Sequence, residues 1–388
     1  MRTLCTLLGL PQHRFASIHV VGTNGKSSTT RMIAALLEAH GVSAGACVSP
    51  HAARWSERVL VHGEEVGAAE FAAAVERAAV AAEVVNRGLE KGEAVTQFEL
   101  ATAAAFVALA AARVEAAAVE AGLGGRLDAT NTIPSRVTVL TSVGLDHTEW
   151  LGETEEQIAA EKLAVLRDHS TLVLGRVSPA VAALAKRTAA ERSANLIVAP
   201  EDPGSEVELR AAGGFQRRNF ALACAAAEAF LGELYPGKVA AVAEGIAIPG
   251  RLEKVAESPP TFLDAAHNPD GATALAEALP KIAADRPVIA VLAILADKDA
   301  KEIVEALSPV LTQVICAELP DPGRPGFGAL ELTRICRDAD LAAEAEASFD
   351  VAVSRARELA LHAGGVLLVT GSHYAQAPAR RALGLCED

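Results

Sequence analysis

The chain has 388 residues, a length that suggests two or three domains, each able to bury its own core. Hydrophobic residues make up 51% but aromatic ones only 4%, so the apolar excess is alanine and aliphatic side chains, the material of Ala-rich helices on aliphatic strands. A formal charge of −14 argues against nucleic acid as the main partner and leaves any anionic substrate to local basic groups.

The opening MRTLCTLLGLPQHR has an apolar patch, but it is short for a signal peptide, lacks a small-residue cleavage site and runs toward the first strand. Ile18 to Val21, β-branched at Ile18, Val20 and Val21, is a run of the kind that forms a buried strand. From Ser27 onward Met32, Ile33, Leu36 and Leu37 recur at helical spacing, and Gly41 stands where a helix C-cap glycine belongs. Between strand and helix lie Gly22, Thr23, Asn24, Gly25, Lys26, Ser27 and Ser28. Such a loop presents backbone N–H groups at a helix N-terminus, where the dipole favours an anion. The two glycines allow close backbone approach, Lys26 brings a charge to the outer phosphates, and Ser27 or Ser28 can reach Mg²⁺. The pattern G-x-x-G-K-S is shorter than the common phosphate-loop spacing, yet its setting reads as a triphosphate cradle.

Val42 to Ser49 reads as a strand ending in Ser-Pro-His, and Phe98 to Ala112 as an Ala-rich helix. Around Phe106 the uncharged stretch is broken by Arg113 and Glu115, short of a membrane span, so a soluble cytoplasmic protein with no membrane partner is expected. Ala116 to Val119 is a short strand leading into Glu120, and Val137 to Val143 another leading into Asp146 and His147. Near Ile248 to Arg251 the chain passes through a loop and a second strand–helix series begins, which places the boundary near Gly250 and the domains at 1–249 and 250–388. There Thr261 to Ala265, Val288 to Leu295 and Val366 to Val369 read as strands, with a helix opening near Pro269. Pro320 to Gly328 reads as a surface loop. The alternation predicts an α/β fold with parallel sheets. The six cysteines are scattered without a C-x-x-C pair and read as reduced thiols.

In an open α/β sheet, ligands sit beyond the carboxyl ends of the strands, where the phosphate loop, Glu120 and His147 all fall. Glu120, leaving a buried strand into Ala-Gly-Leu-Gly-Gly, suits Mg²⁺, though the same residue could be a surface loop glutamate. On residues alone His147 reads rather as a structural histidine, since Mg²⁺ prefers oxygen, and Lys162 as an ordinary solvated helix lysine.

HVVGTNGKSS, the SPH at Ser49 to His51 with SER at Ser56 to Arg58, EAGLGGRLDATN from Glu120, GLDHTEWLG from Gly144 and AEKLAVLR from Ala160 resemble the folylpolyglutamate synthase/dihydrofolate synthase family within the Mur ligases. PGRLE at Pro249, LDAAHNPDGA at Leu263, ADKD at Ala296 and TGSHY at Thr370 extend that likeness in order over nearly the whole chain. The resemblance implies a P-loop ATPase domain followed by a Rossmann-like α/β domain. It implies ATP at Gly22 to Ser28 completed by Asn219, Arg251 and Asp264, and one or two Mg²⁺ ions held by Ser49, Glu120 and His147. It implies that Lys162 is carried as a carbamate, a carboxylate-like ligand for a second Mg²⁺, and counts Lys26, Lys162 and His267 among the catalytic groups. Substrate contacts map to Arg126, Leu127 and Asp128, with His267 and Ser372 at the incoming glutamate.

The implied reaction joins L-glutamate to a folate: tetrahydrofolate polyglutamylation, with dihydropteroate to dihydrofolate as a further activity. A substrate carboxylate attacks the γ-phosphate, and the glutamate amine attacks the resulting acyl phosphate. Lys26 and Mg²⁺ offset the repulsion of the anionic groups. Domain closure about the Ile248–Arg251 loop is expected to shield the intermediate from water. A monomer is expected. Three departures stand out. Family members carry a further N-terminal segment that contributes to pterin binding, whereas Met1 begins almost at the LLGLPQ element, so either the start is placed late or the pterin contacts differ. Ser27 replaces a common glycine, and His373 stands where an apolar residue is common. Two other readings are a Mur-type ligase for a different acid, against which GRLDATN speaks, and a nucleotide-binding scaffold without catalysis, against which Lys26, Glu120, His147 and Lys162 together speak.

Overall fold

A computed structural model describes residues 1–320 and 323–385. Of the Pro320–Gly328 segment, Asp321 and Pro322 therefore lie outside the described residues, as does Cys386. The chain divides into two compact units, Met1–Leu209 with Arg217–Ile246 and Arg210–Gln216 with Ala247–Asp388. A single cut at Gly250 does not foresee the assignment of Arg210–Gln216, whose Ala212 and Phe215 pack on the second unit's core.

The first unit is built on eight strands: β1 (Ala16–Val21), β2 (Ala44–Cys47), β3 (Val59–Val61), β4 (Glu64–Glu65), β5 (Ala116–Glu120), β6 (Ser135–Leu140), β7 (Thr171–Leu174) and β8 (Asn195–Val198). They lie in the order β4-β3-β2-β5-β1-β6-β7-β8. All neighbours are parallel except the pairs β2/β3 and β3/β4. A parallel sheet is covered on both faces by crossover helices, which is why β5 is buried along its whole length. Several strands are shorter than the apolar runs suggest. Val42 and Ser43 precede β2, and Thr141 to Val143 follow β6 as a loop. That trimming frees backbone at the carboxyl edge for other uses.

Six helices of this unit matter below: α1 (Arg2–Leu7), α2 (Lys26–Ala39), α3 (Ala68–Asn86), α4 (Gln97–Ala111), α5 (Thr148–Leu151) and α6 (Glu155–Leu163). α1 is too short for periodicity to reveal; Leu4 and Cys5 anchor it in the core. α2 buries Met32, Ile33, Leu36 and Leu37 and ends as its glycine predicts. Gly41, at φ +86°, lets its N–H reach Glu38 O at 2.9 Å while Val42 N reaches Leu37 O at 3.1 Å. α4 opens on a capping box in which Thr96 Oγ1 accepts from Glu99 N at 3.2 Å and Glu99 accepts from Thr96 N at 2.9 Å, worth about 1 kcal/mol. Alanines 74, 78, 81 and 82 of α3 share one core with α4, and small side chains of this kind let helix backbones lie close.

The second unit repeats the logic with six strands: β9 (Glu253–Glu257), β10 (Pro260–Leu263), β11 (Val288–Leu292), β12 (Gln313–Ala317), β13 (Ala343–Glu346) and β14 (Val366–Thr370). Their order is β13-β12-β11-β14-β10-β9, parallel except for β9/β10. Both sheet faces carry aliphatic cores. The helix opening near Pro269 is Pro269–Ala283, capped by Asn268, whose side chain accepts from Gly271 N at 2.8 Å. Both units are thus α/β with parallel-rich sheets, as expected. Cys5, Cys47, Cys224, Cys316 and Cys336 are free thiols. Among the described residues no helix is long and apolar enough to cross a membrane.

Candidate active site

The carboxyl ends of β2, β5, β1 and β6 are adjacent, and the loops leaving them build one site. After β1, Gly22 has φ +154°, and a Cβ there would stand 1.8 Å from Thr141 Oγ1, so only glycine fits. The Gly22–Gly25 loop is sewn to the segment after β6. Thr23 N donates to Ser142 O at 2.9 Å, Asn24 N to Ser142 Oγ at 3.0 Å, and Thr141 Oγ1 to Asn24 O at 2.6 Å. Gly144 N donates to Thr23 Oγ1 at 3.1 Å. Residue-by-residue reading missed Thr141, Ser142 and Gly144, because only the adjacency of β1 and β6 makes them partners.

α2 starts at Lys26, so its first N–H groups open toward the loop. Lys26 Nζ folds back onto Thr23 O at 3.0 Å, and Ser28 is buried. Asn219 stands beside Gly25; a Cβ on Gly25 would lie 2.5 Å from its Oδ1.

Glu120 ends β5 only 3% exposed, which excludes the surface-loop alternative. Its Oε2 accepts from Ser49 N at 2.8 Å and its Oε1 lies 2.9 Å from Ser27 Oγ. Ser27 Oγ also lies 3.0 Å from Ser49 O. One hydroxyl proton therefore faces two acceptors, an oxygen-rich corner joining Ser27, Ser49 and Glu120.

Lys162 overturns its reading as a solvated helix lysine. It is 4% exposed and its Nζ donates to Gly22 O at 2.9 Å. Burial, reinforced by the charge of Lys26, pushes its pKa down to about 7, against the opposite pull of Asp146 and Asp128. The signal was present in the sequence: Lys162 shares the face of Ile158 and Ala159 on α6, four and three residues on, and both are buried. His147 is half-buried at φ +51° just before α5, its N–H on Asp146 Oδ1 at 3.0 Å. Among the described residues no three His, Cys, Asp or Glu side chains converge as a ready metal cage.

The Gly122–Asn131 turn follows Glu120. Gly125 packs so closely on the end of α6 that a Cβ would lie 2.7 Å from Glu161 O and 2.8 Å from Lys162 O. Arg126 Nε pairs with Glu161 Oε1 at 2.8 Å, and Leu127 is 92% exposed. Asp128 braces the turn: it accepts from Leu123 N and Thr130 N, each at 2.9 Å, and from Thr130 Oγ1. Beside Ser49, Arg58 donates Nε to His51 Nδ1 at 2.9 Å and lies 4.5 Å from the Trp55 ring centre and 6.0 Å from that of Phe98. This cation–aromatic cluster was not foreseen; Trp55 and Phe98 carry no local motif.

In the second unit Arg251, Asp264, His267 and Ser372 gather at the carboxyl ends of the neighbouring strands β10 and β14. Asp264, 3% exposed, accepts from Leu252 N and Ala266 N, each at 2.8 Å. Burial raises its pKa, while Arg251 and those two N–H groups pull the other way. Arg251 Nη1 donates to Gly250 O at 3.1 Å. His267 Nδ1 lies 2.9 Å from Ala265 O, and Ser372 Oγ accepts from Tyr374 N at 3.2 Å.

Residues 20–199 match the Mur ligase middle domain and residues 250–373 the Mur ligase glutamate ligase domain. The chain is 35% identical over 371 residues to a dihydrofolate synthase/folylpolyglutamate synthase of Mycobacterium tuberculosis, covering 85% of this chain and 75% of that one. A folylpolyglutamate synthase of Lacticaseibacillus casei is 32% identical, with 86% and 84% covered. Among solved structures, Mycobacterium tuberculosis folylpolyglutamate synthase complexed with ADP and AMPPCP superposes with a TM-score of 0.93 at 31% identity, covering 100% of this chain and 95% of that one. Escherichia coli FolC in complex with DHPP and ADP gives a TM-score of 0.84 at 28% identity, covering 98% and 92%. By its two domains, its sheet-edge loops and these likenesses, the chain belongs to the folylpolyglutamate synthase/dihydrofolate synthase family of Mur ligases.

Proposed function

We propose that this protein is an ATP-dependent ligase that joins L-glutamate to a folate and releases ADP and phosphate. Tetrahydrofolate polyglutamylation is the principal reaction and conversion of dihydropteroate to dihydrofolate the second, carried out by a cytoplasmic monomer. The observation that carries this reading is the convergence, at one sheet edge, of the Gly22–Ser28 loop, the buried carboxylate of Glu120 and the buried amine of Lys162.

ATP lies with its phosphates along the N–H groups of Gly22 to Ser28, with Lys26 as the cation beside them. Asn219, adjacent to Gly25, and Arg251 and Asp264 of the second unit serve the nucleoside. The substrate carboxylate attacks the γ-phosphorus; the bond to the β,γ-bridging oxygen breaks and ADP leaves with that oxygen. Lys26 stabilises charge that builds on the transferring group. The amine of glutamate, held at His267 and Ser372, then attacks the acyl carbon, and phosphate departs from the tetrahedral adduct with the oxygen that joined it to carbon. The Gly122–Asn131 turn, with Arg126, Leu127 and Asp128, receives the acid.

The donor set of Ser27, Ser49 and Glu120 is hard oxygen and suits Mg²⁺, with His147 as a less expected companion. Bound there, Mg²⁺ would supply charge neutralisation between phosphate oxygens. Lys162, with a pKa near 7, holds a neutral amine able to take up CO₂ as a carbamate, a proton being released as the N–C bond forms. Phosphate release measured with ATP and glutamate, and tetrahydrofolate or dihydropteroate added separately, tests the reading. Glutamate-dependent release with at least one of them is expected; release with neither rejects the substrate assignment.

A further inference from the structure

His19 has no role in the chemistry above, yet it is a fully buried polar residue within β1, the strand that delivers the phosphate loop. Its Nε2 lies 2.8 Å from Thr130 Oγ1. That hydroxyl is also bonded to Asp128, whose carboxylate takes the Thr130 and Leu123 N–H groups as well. A carboxylate only accepts, so the single Thr130 hydroxyl proton points to Asp128 and its oxygen must accept from His19. The imidazole proton is thereby placed on Nε2. Burial, helped by the charge of Arg167, holds the ring neutral with a pKa of about 3. Nδ1 remains a bare acceptor without a hydrogen-bond partner among the described residues. Leaving a buried polar atom orphaned is costly, and an apolar residue at this strand position would avoid that cost.

We propose that His19 is a positioning residue for the acid substrate: its Nε2–H, acting through Thr130, fixes the Asp128 carboxylate and so clamps the Gly122–Asn131 turn to the strand that carries the phosphate loop. β1 pairs directly with β5, His19 opposite Val119, and β5 runs through Glu120 into that turn. The chain of hydrogen bonds therefore ties the end of one strand, where the acid is received, to the strand beside it, where the phosphate is offered. Registration of carboxylate against terminal phosphate follows from it. The inference rests on the reading that this turn receives the acid.

The wild-type protein, labelled with ¹⁵N in histidine, is the first test, and it requires no substitution. His19 is expected as the Nε2-protonated tautomer; an Nδ1-protonated ring overturns the inference. The second test is kinetic. His19→Leu and Thr130→Val are expected to raise KM for tetrahydrofolate about tenfold, the loss of one hydrogen bond to a charged acceptor's partner, with KM for ATP within about twofold. His19→Gln and Thr130→Ser, which keep a donor and a hydroxyl, are expected to stay within about threefold of wild type. An unchanged folate KM in His19→Leu, or folate and ATP KM values rising together, overturns the positioning role. Should the Leu and Val variants fail to fold, recovery of folate KM by the Gln and Ser variants, with the tautomer, decides. A wild-type enzyme inactive on every folate rejects the substrate reading itself. That result is distinct from an active enzyme indifferent to His19, which rejects this inference alone.

Discussion

Replacing Gly22 with alanine probes the tightest contact of the site. The new Cβ would stand 1.8 Å from Thr141 Oγ1 and 3.2 Å from Ser142 N, where real Cβ atoms essentially never come within 3.0 Å. Thr141 cannot simply turn away, because its Oγ1 holds Asn24 O at 2.6 Å and Val21 O at 3.3 Å. The methyl group is thus a wedge between the phosphate loop and its own support. Overpacking of this kind costs about 1–3 kcal/mol and a lost hydrogen bond about 1 kcal/mol more. For a unit of this size the melting temperature should fall by about 5–15 °C. The loop must move by about 1 Å, a misplacement that costs on the order of 100-fold in rate. Steady-state phosphate release against ATP concentration, with a thermal melt alongside, measures both. Gly41→Ala is the control, since Gly41 also has positive φ but nothing lies within 4 Å of its added Cβ. It should cost about 1 kcal/mol and leave ATP kinetics alone. A Gly22→Ala enzyme with kcat/KM for ATP within about threefold of wild type refutes the assignment of the loop.

Lys162 carries a pH prediction. Its amine, with pKa lowered to about 7 from 10.5, is mainly neutral at pH 8 and protonated at pH 6. Uptake of CO₂, and bicarbonate-dependent activity with it, should fall as pH drops through about 7; ¹³C-carbonate NMR shows the carbamate directly. Because the pKa is lower in the folded state, the unfolded chain binds the extra proton between those values. Stability of the unmodified protein from this group should therefore rise with pH across that window, which a series of melts against Lys162→Met checks. Asp264→Asn turns an amide NH₂ toward one of two backbone donors, Leu252 N or Ala266 N, and should destabilise the protein by about 1–3 kcal/mol in urea melts. His267→Ala should raise KM for glutamate by about tenfold or more with KM for ATP nearly unchanged; equal effects on both would remove His267 from the amino-acid site.

Much of this architecture was legible because its cause is local. Val288 to Leu292 is an unbroken apolar run and Ile18 to Val21 is apolar but for His19, as strands covered on both faces tend to be, and Gly41 and Pro269 mark helix ends by backbone chemistry alone. What escaped depends on neighbours distant in sequence. Thr141 and Ser142 matter only because β6 lies beside β1, and the Asp128–Thr130–His19 chain spans 111 residues. Lys162 is the instructive miss. Its charge suggested solvent, yet its helical phase with Ile158 put it inside, so position on the helix outweighed residue type.

The central claim is that a carboxylate is made reactive by taking the terminal phosphoryl group of ATP. Tetrahydrofolate carrying ¹⁸O in its terminal carboxylate, turned over with ATP and glutamate, tests it most directly. One ¹⁸O should appear in each phosphate released in step with product, because the oxygen that bridges carbon and phosphorus departs with the phosphorus. Product formed while the phosphate stays unlabelled would contradict the account.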